Sequence, residues 1–149
     1  MAVFDDEFFM RKAIIEGRDS TNQNEVPVGA LIVAKNKIIG RGSNQVERLN
    51  DVTAHAEMIA ITAAQHHIRS KYLSNCTAYI TLEPCTMCAG AFYWCRIGRI
   101  VIGTKDFTRG FNRHGTQVLH PKTQITWNVL PKQCKNLMKD FFSEIRKNK

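Results

Sequence analysis

The spacing of apolar residues along this chain changes several times, and each change predicts a different element. Short runs rich in valine, isoleucine and threonine are typical of strands. Five segments carry such runs: 26–34, 37–42, 77–82, 99–103 and 124–129. Only two residues separate the first run from the second, so these two strands are predicted to pair as a hairpin.

Longer segments, in which apolar residues recur three or four positions apart, predict helices. Four segments show this spacing: 4–15, 53–65, 85–96 and 132–146. The polar stretch 17–24 is predicted to end the first helix, and 43–51 is predicted to be a loop. Thr53 is the predicted N-cap of the second helix, whose Met58 and Ile59 are predicted to be core residues.

Strands and helices alternate along the whole chain, and no linker or internal repeat divides it. A length of 149 residues fits one domain. We therefore expect a single α/β domain over residues 1–149. Its architecture is predicted to have three α/β/α layers, a mixed five-stranded sheet with helices on both faces.

Composition and cysteine usage indicate the compartment. The chain is 44% hydrophobic and 23% charged, which is ordinary for a globular protein. No apolar run approaches the length of a membrane span, and the acidic start over residues 1–7 lacks a secretory layout. Of the five cysteines, Cys76, Cys95 and Cys134 are expected to be buried or half-buried thiols in a reducing compartment. These features predict a cytoplasmic protein with no membrane partner.

Two cysteines lie where a predicted strand passes into a helix. Cys85 and Cys88 are three residues apart at the helix start, so their side chains share one face. A helix N-terminus favours the thiolate form, which is the form that binds metal. An isolated Cys-x-x-Cys is more often a redox pair or half of a structural zinc site, so its role depends on further ligands.

A second motif upstream supplies a further ligand. Catalytic zinc takes three protein ligands and leaves one position for water. His55 completes a His-Cys-Cys set with Cys85 and Cys88, and Glu57 can reach a water beside the metal. The pattern His-x-Glu followed by Pro-Cys-x-x-Cys is the signature of zinc-dependent base deaminases. We predict one zinc ion per chain on His55, Cys85 and Cys88, with Glu57 as catalytic acid and base.

Charge bears on the class of partner. The chain has 21 basic and 13 acidic residues, a formal net charge of +8. Basic residues are concentrated in its last third: Arg109, Arg113, Lys122, Lys132, Lys135, Lys139, Arg146, Lys147 and Lys149. This distribution fits either a polyanion-binding surface or a solvated basic tail.

Longer motifs around these residues resemble a known superfamily. The segments 25–30 (EVPVGA), 53–57 (TAHAE) and 81–85 (TLEPC) resemble the cytidine deaminase-like superfamily. Three further motifs narrow the resemblance to the bacterial tRNA-specific adenosine deaminases: 87–91 (MCAGA), 96–99 (RIGR) and 140–142 (DFF).

The resemblance implies an activity, a partner and an assembly. The activity is hydrolytic deamination of adenosine to inosine at the wobble position of a tRNA anticodon, so the implied partner is a tRNA anticodon stem-loop. Adjacent Phe92, Tyr93 and Trp94 agree with the implied homodimer. Residues implied in substrate binding are Asn44, Val28, Ala56 and Asp106. Arg109, Lys139 and Arg146 are additional candidates for RNA contacts.

Two other functions stay open at this point. Segment 109–123 is a few residues shorter than in the family, and Tyr93-Trp94 also resembles guanine deaminases, which act on a free base. A free-base or nucleoside deaminase is therefore the first alternative. The second is a non-catalytic, zinc-stabilised RNA-binding module. Glu57 argues against that module, because a structural zinc site needs no such carboxylate.

Overall fold

A mixed five-stranded sheet lies at the centre of the computed structural model, which describes residues 4–21 and 24–147. Its strands are β1 (Gly29–Ala34), β2 (Lys37–Ser43), β3 (Thr77–Leu82), β4 (Arg99–Thr104) and β5 (Gln124–Thr126). The strand order is β2-β1-β3-β4-β5. Strand β1 is antiparallel to β2 and β3, whereas β3, β4 and β5 are parallel. The predicted mixed sheet and its first hairpin are confirmed.

Helices cover both faces of this sheet, as predicted. They are α1 (Asp6–Asp19), a short α2 (Val46–Leu49), α3 (Ala56–Ile68), α4 (Thr86–Cys95) and α5 (Pro131–Lys147). Side chains alternate along each strand, so one strand serves two cores. In β1, Leu31 faces the core shared with α1 and α5. Its neighbour Ile32 faces the core shared with α3 and α4.

Close packing of α3 against β2 depends on glycine. A Cβ atom at Gly40 would lie 2.4 Å from the carbonyl oxygen of Ala60, and one at Gly42 would lie 2.1 Å from that of Ala56. Both distances are far below van der Waals contact, so only glycine permits this approach. The packing fixes where α3 begins, and the first residues of α3 carry the predicted metal and catalytic side chains.

The start of α3 differs from the sequence prediction. The N-cap is His55, with extended backbone angles (φ −74°, ψ 154°), and the predicted cap Thr53 lies two residues outside the helix. The carboxylate of Asp51 accepts hydrogen bonds from the Thr53 backbone N–H (2.8 Å) and hydroxyl (2.7 Å). Thr53 therefore belongs to a turn closed by Asp51, which competes for the hydroxyl that a cap would use.

Other predicted boundaries also move. Strand β1 begins at Gly29 and not at residue 26, and β5 ends at Thr126 and not at 129. Helix α1 continues through Gly17 to Asp19, because Gly17 packs directly against the backbone of Gly29. The predicted loop 43–51 contains α2.

The predicted core positions of α3 are wrong for two residues. Met58 and Ile59 are half-buried. The buried face of α3 is instead Ala56, Glu57, Ala60, Ile61 and Ala64. Three of these five residues are alanines, which allows the helix to lie directly on the glycines of β2. By contrast, Cys76, Cys95 and Cys134 are buried free thiols, as expected.

Some of the sequence lies outside this description. Residues 1–3 of the acidic start and residues 22–23 of the predicted polar turn lie outside the described residues, as do the last two residues of the chain. Among the described helices, none combines the length and apolar character of a membrane span.

Candidate metal centre and catalytic pocket

The three predicted metal ligands converge at the starts of α3 and α4. His55 is the N-cap of α3, Cys85 is the N-cap of α4, and Cys88 lies in the first turn of α4. The Nδ1 atom of His55 lies 3.6 Å from Sγ of Cys85 and 3.5 Å from Sγ of Cys88. Within residues 4–21 and 24–147, these three form the one His, Cys, Asp and Glu group compact enough to hold a metal ion.

These distances fit zinc. Tetrahedral zinc with Zn–S near 2.3 Å and Zn–N near 2.05 Å would hold sulfur and nitrogen about 3.6 Å apart. The three ligand atoms all lie within 4.8 Å of one another. Two thiolates and one imidazole are also a donor set that zinc accepts. The residues present therefore fit a zinc ion with one coordination position left over.

Hydrogen bonds among these three side chains shift their pKa values. A hydrogen bond from the Cys88 thiol lowers the pKa of Cys85 to about 4, with His55 acting in the same direction. The same hydrogen bond, together with burial, raises the pKa of Cys88. The hydrogen bond to Cys85 raises the pKa of His55. These directions favour a thiolate at Cys85 and a protonated thiol at Cys88, and a metal ion bound to both would displace that proton.

Glu57 is the buried carboxyl group beside the cluster. It lies in the first turn of α3 and is only 4% exposed. Burial raises the pKa of Glu57 to about 7. A carboxyl group with a pKa near neutrality can both accept and donate a proton, which is what general acid and base catalysis requires.

A cavity of about 800 Å³ opens above these residues. His55, Glu57 and Cys85 lie along it, so both the predicted ligands and the carboxyl group face a space large enough for a ligand. Its other walls come from loops, from α2 and α5 and from the ends of β3 and β4: Asn24, Glu25, Val26, Val28, Asn44, Val46, Glu47, Leu82, Glu83, Thr104, Lys105, Asp106, Phe107, Thr108, Arg109, Lys135, Met138 and Phe142.

Asn44 connects two parts of this wall. Its Nδ2 donates to the carbonyl oxygen of Val26 at 3.0 Å, and its Oδ1 accepts from the backbone N–H of Ala56 at 2.9 Å. Each of these side-chain atoms has capacity for one more hydrogen bond. Asn44 therefore connects the first turn of α3 to the loop before β1. Its side chain can still donate one hydrogen bond and accept one from a ligand in the cavity.

The other predicted substrate residues differ in position. Val28 and Asp106 line the cavity. Ala56 is fully buried and is not among the cavity-lining residues; its backbone N–H donates to Asn44. The carboxylate of Asp106 accepts from the N–H groups of Thr108 and Arg109, both at 3.0 Å, and so shapes the turn that follows β4.

Sequence reasoning missed two buried carboxylates in the cavity wall. Glu25 is 1% exposed and accepts from the N–H groups of Glu47 (3.1 Å) and Arg48 (2.9 Å). Glu83 is 5% exposed and accepts from those of Asp106 (3.1 Å) and Asn112 (3.0 Å).

Each of these two carboxylates binds two backbone N–H groups and thereby holds one loop of the cavity wall. The available signal was a glutamate directly before a Val-Pro step (Glu25) or a Pro-Cys step (Glu83). The backbone N–H groups that bind these two glutamates lie more than 20 residues away in the chain, so the pairing could not be predicted from the sequence.

The predicted RNA-contacting residues are only partly brought together. Arg109 lines the cavity, whereas Lys139 and Arg146 are exposed on α5 and are not among its lining residues. Lys135, four residues before Lys139, does line the cavity. On α4, Phe92 is buried, while Tyr93 is 37% and Trp94 is 77% exposed.

Family comparison agrees with this centre. Residues 4–104 match the family model described as the cytidine and deoxycytidylate deaminase zinc-binding region. The matched stretch contains all three predicted ligands and Glu57.

Individual relatives show which members of this family the chain resembles in sequence and structure. The chain is 37% identical over 146 residues to a tRNA-specific adenosine deaminase of Aquifex aeolicus, a match covering 95% of this chain and 97% of that protein. It is 39% identical to the chloroplastic tRNA(adenine(34)) deaminase of Arabidopsis thaliana, spanning 92% of this chain but only 12% of that longer protein. A solved structure from a study of tRNA:A34 deaminases has a TM-score of 0.81 and 32% identity, covering 87% of this chain and 97% of the other.

Proposed function

Because this chain belongs to the zinc-binding cytidine and deoxycytidylate deaminase family and, within it, to the tRNA-specific adenosine deaminases, we propose that it converts the wobble adenosine of a tRNA anticodon to inosine. The observation that carries the proposal is the position of Glu57, buried in the cavity wall beside the His55, Cys85 and Cys88 cluster. A zinc site built only for stability needs neither a cavity nor a buried carboxyl group.

The chemistry divides between the metal and the protein. His55, Cys85 and Cys88 would hold the zinc ion, which supplies Lewis acidity to water when bound. Glu57 takes a proton from water and delivers protons to the ring nitrogen and the departing amine of adenine. Water adds its oxygen at C6, the C6–N bond breaks, and ammonia leaves. The pKa of Glu57 near 7 supports both directions of proton transfer.

The cavity walls support a role in holding the base. Val28 offers apolar contact to a purine face, and Asn44 retains one donor and one acceptor position for the nucleoside. Ala56 contributes indirectly, by fixing the Asn44 amide through its N–H. Asp106 shapes the loop that would meet the RNA next to the target nucleotide.

A comparison of substrates tests this function. Zinc-loaded protein is incubated separately with a tRNA bearing a wobble adenosine, with free adenosine, with guanine and with cytosine, and ammonia is measured. The proposal expects ammonia from the tRNA at a kcat/KM well above that of any free compound, and inosine at the wobble position. Efficient release from guanine with none from the tRNA would instead establish the free-base alternative.

We also propose a cytoplasmic homodimer. Met87, Tyr93 and Trp94 of α4 are all more than a third exposed, which supports their burial against a second copy. A tRNA substrate and five free cysteines support the cytoplasm. Sedimentation is expected to give a dimer at micromolar concentration and a monomer for Trp94→Glu. A 17 kDa species for the unmodified chain would rule the dimer out.

A further inference from the structure

An exposed aromatic side chain stands at the edge of the cavity. Phe107 is 85% exposed, the largest value among the exposed large hydrophobic residues of the described chain. It also lines the cavity. A phenyl ring in water forgoes the stabilisation that burial would give, and this ring lies where a ligand bound at the cavity could cover it.

The loop that carries Phe107 is tightly hydrogen-bonded. The carboxylate of Asp106 accepts from the N–H groups of Thr108 and Arg109, and the carbonyl oxygen of Asp106 accepts from the N–H of Gly110 at 2.9 Å. The buried Glu83 carboxylate accepts from the Asp106 N–H on the other side of Phe107. Both neighbours of Phe107 are therefore fixed, and its ring is presented to solvent at a defined place.

The surroundings indicate which ligand this ring meets. Met138 and Phe142 of α5 continue an apolar surface along the same cavity, and Arg109 and Lys135 add positive charge. Neither of these two cations forms an ion pair with any residue in the part of the chain that the structure describes. An exposed aromatic ring beside unpaired cations matches a nucleobase attached to a phosphate backbone.

We propose that Phe107 stacks against a nucleobase immediately adjacent to the deaminated adenosine. This inference rests on the proposed function. Glu57 and the metal ligands act on the adenine inside the cavity, whereas Phe107 lies at its solvent-exposed edge, where the next nucleotide of an unstacked loop would pass. Phe107 would thereby help to distinguish RNA from a free base.

The test uses full-length zinc-loaded protein and an anticodon stem-loop RNA with a wobble adenosine. Two further RNAs carry an abasic ribose directly 5′ or directly 3′ of the target. Phe107→Ala is expected to lower kcat/KM for the intact stem-loop by about tenfold or more, the usual scale for removal of a base stack. The zinc content of Phe107→Ala should equal that of the unsubstituted protein. Phe107→Trp, which keeps an aromatic face, should restore RNA turnover.

The abasic RNAs make the test specific for stacking. One of them should reduce kcat/KM of the unsubstituted protein by the same factor as Phe107→Ala, and should cause no further decrease in the Phe107→Ala protein. Decreases that multiply, or an unchanged kcat/KM for Phe107→Ala on the intact RNA, overturn the proposal. Phe4→Ala removes a half-exposed phenyl ring outside the cavity and is the matched control.

Two further outcomes are distinguishable. If the unsubstituted protein binds zinc but deaminates no stem-loop RNA, the proposed function fails and the Phe107 inference falls with it. If Phe107→Ala melts well below Phe4→Ala, Phe107→Leu replaces it, since leucine keeps the apolar volume without a ring. Full stem-loop activity in Phe107→Leu then overturns the proposal.

Discussion

The Nδ1 atom of His55 lies 3.5 Å from the Sγ atom of Cys88, although 33 residues separate them in the chain. This contact joins the first residue before α3 to the first turn of α4. Both helices pack on the same face of the sheet. A metal bound here would therefore connect the starts of two helices whose apolar side chains share one core.

Substitution of one metal ligand tests whether the bound metal is needed both for activity and for stability. Cys85→Ala is expected to lose bound zinc and deaminase activity, and to melt at a lower temperature because the metal no longer connects α3 and α4. Metal analysis and thermal unfolding measure these effects. Cys76→Ala, at a buried thiol outside the cluster, should keep its zinc. One zinc per chain in Cys85→Ala would contradict the assignment of the ligands.

A substitution at Glu57 should affect catalysis without affecting metal binding. Glu57→Gln preserves the shape of the side chain but cannot carry a proton, so kcat should fall at least about a hundredfold. Zinc content and melting temperature should stay near those of the unsubstituted protein. Glu7→Gln, at an exposed position on α1, is the control. Undiminished turnover by zinc-loaded Glu57→Gln would mean that another group transfers the proton.

The sequence predicts the metal centre better than the cavity around it. His55, Cys85 and Cys88 are recognisable because each motif is local and each lies at the start of a helix. The roles of Glu25 and Glu83 depend on backbone N–H groups of loops that reach them only in the folded chain. Backbone donors carry no sequence signature, so these carboxylates could not be assigned in advance.

Contacts that form only in the folded chain also explain why the predicted N-cap and two predicted core residues of α3 were wrong. Thr53 has a residue type that favours caps, but Asp51 takes its hydroxyl, and propensity gives no ranking between two local hydrogen bonds. Met58 and Ile59 are apolar and correctly spaced, yet glycines in β2 select the alanine face of α3 for burial. Which face of a helix is buried depends on its neighbour as well as on its own sequence.

Gly42 is expected to be intolerant of a side chain. A Cβ there would lie 2.1 Å from the carbonyl oxygen of Ala56, a backbone atom that cannot rotate away. Gly42→Ala should lower the free energy of unfolding by about 2 kcal/mol and displace His55, which weakens zinc binding. Gly90 in α4 has no atom within 4 Å of the corresponding position. Within a single chain Gly90→Ala therefore meets no clash, and it should leave the stability of the monomer unchanged or raise it by about 0.5–1 kcal/mol in denaturant titrations.

The ion pair between Asp6 and Arg99 gives a prediction for pH. Arg99 Nη1 donates to Asp6 Oδ1 at 2.9 Å, and this hydrogen-bonded pair lowers the pKa of Asp6 below its usual 3.8. The unfolded state therefore binds a proton at higher pH than the folded state. The stabilisation is complete well above pH 4 and is lost as pH falls through the lowered pKa.

Asp6→Asn should thus cost about 1 kcal/mol of stability at neutral pH, and the difference from the unsubstituted protein should shrink below pH 4. Thermal unfolding at a series of pH values measures it. Glu7→Gln breaks an exposed pair with Arg11 at 3.8 Å and should have little effect at any pH. A difference that does not depend on pH would show that packing, and not charge, gives Asp6 its role.

Positive charge at the cavity gives the last prediction, which separates RNA recognition from an incidental basic surface. Lys135 lines the cavity, whereas Arg146 is exposed further along α5. Phosphate contacts release counterions, so kcat/KM for tRNA should fall steeply with salt while that for free adenosine stays flat.

Charge reversal at single positions tests which cations contact the RNA. Lys135→Glu should raise KM for tRNA. It should also reduce the slope of log(kcat/KM) against log(salt concentration) by about 0.7 for each phosphate that the variant no longer neutralises. Arg146→Glu should also weaken tRNA binding. Lys37→Glu, at the start of β2 and not among the cavity-lining residues, should leave KM and the salt slope unchanged. A tRNA kcat/KM that responds neither to salt nor to Lys135→Glu would mean that these cations only solvate the surface.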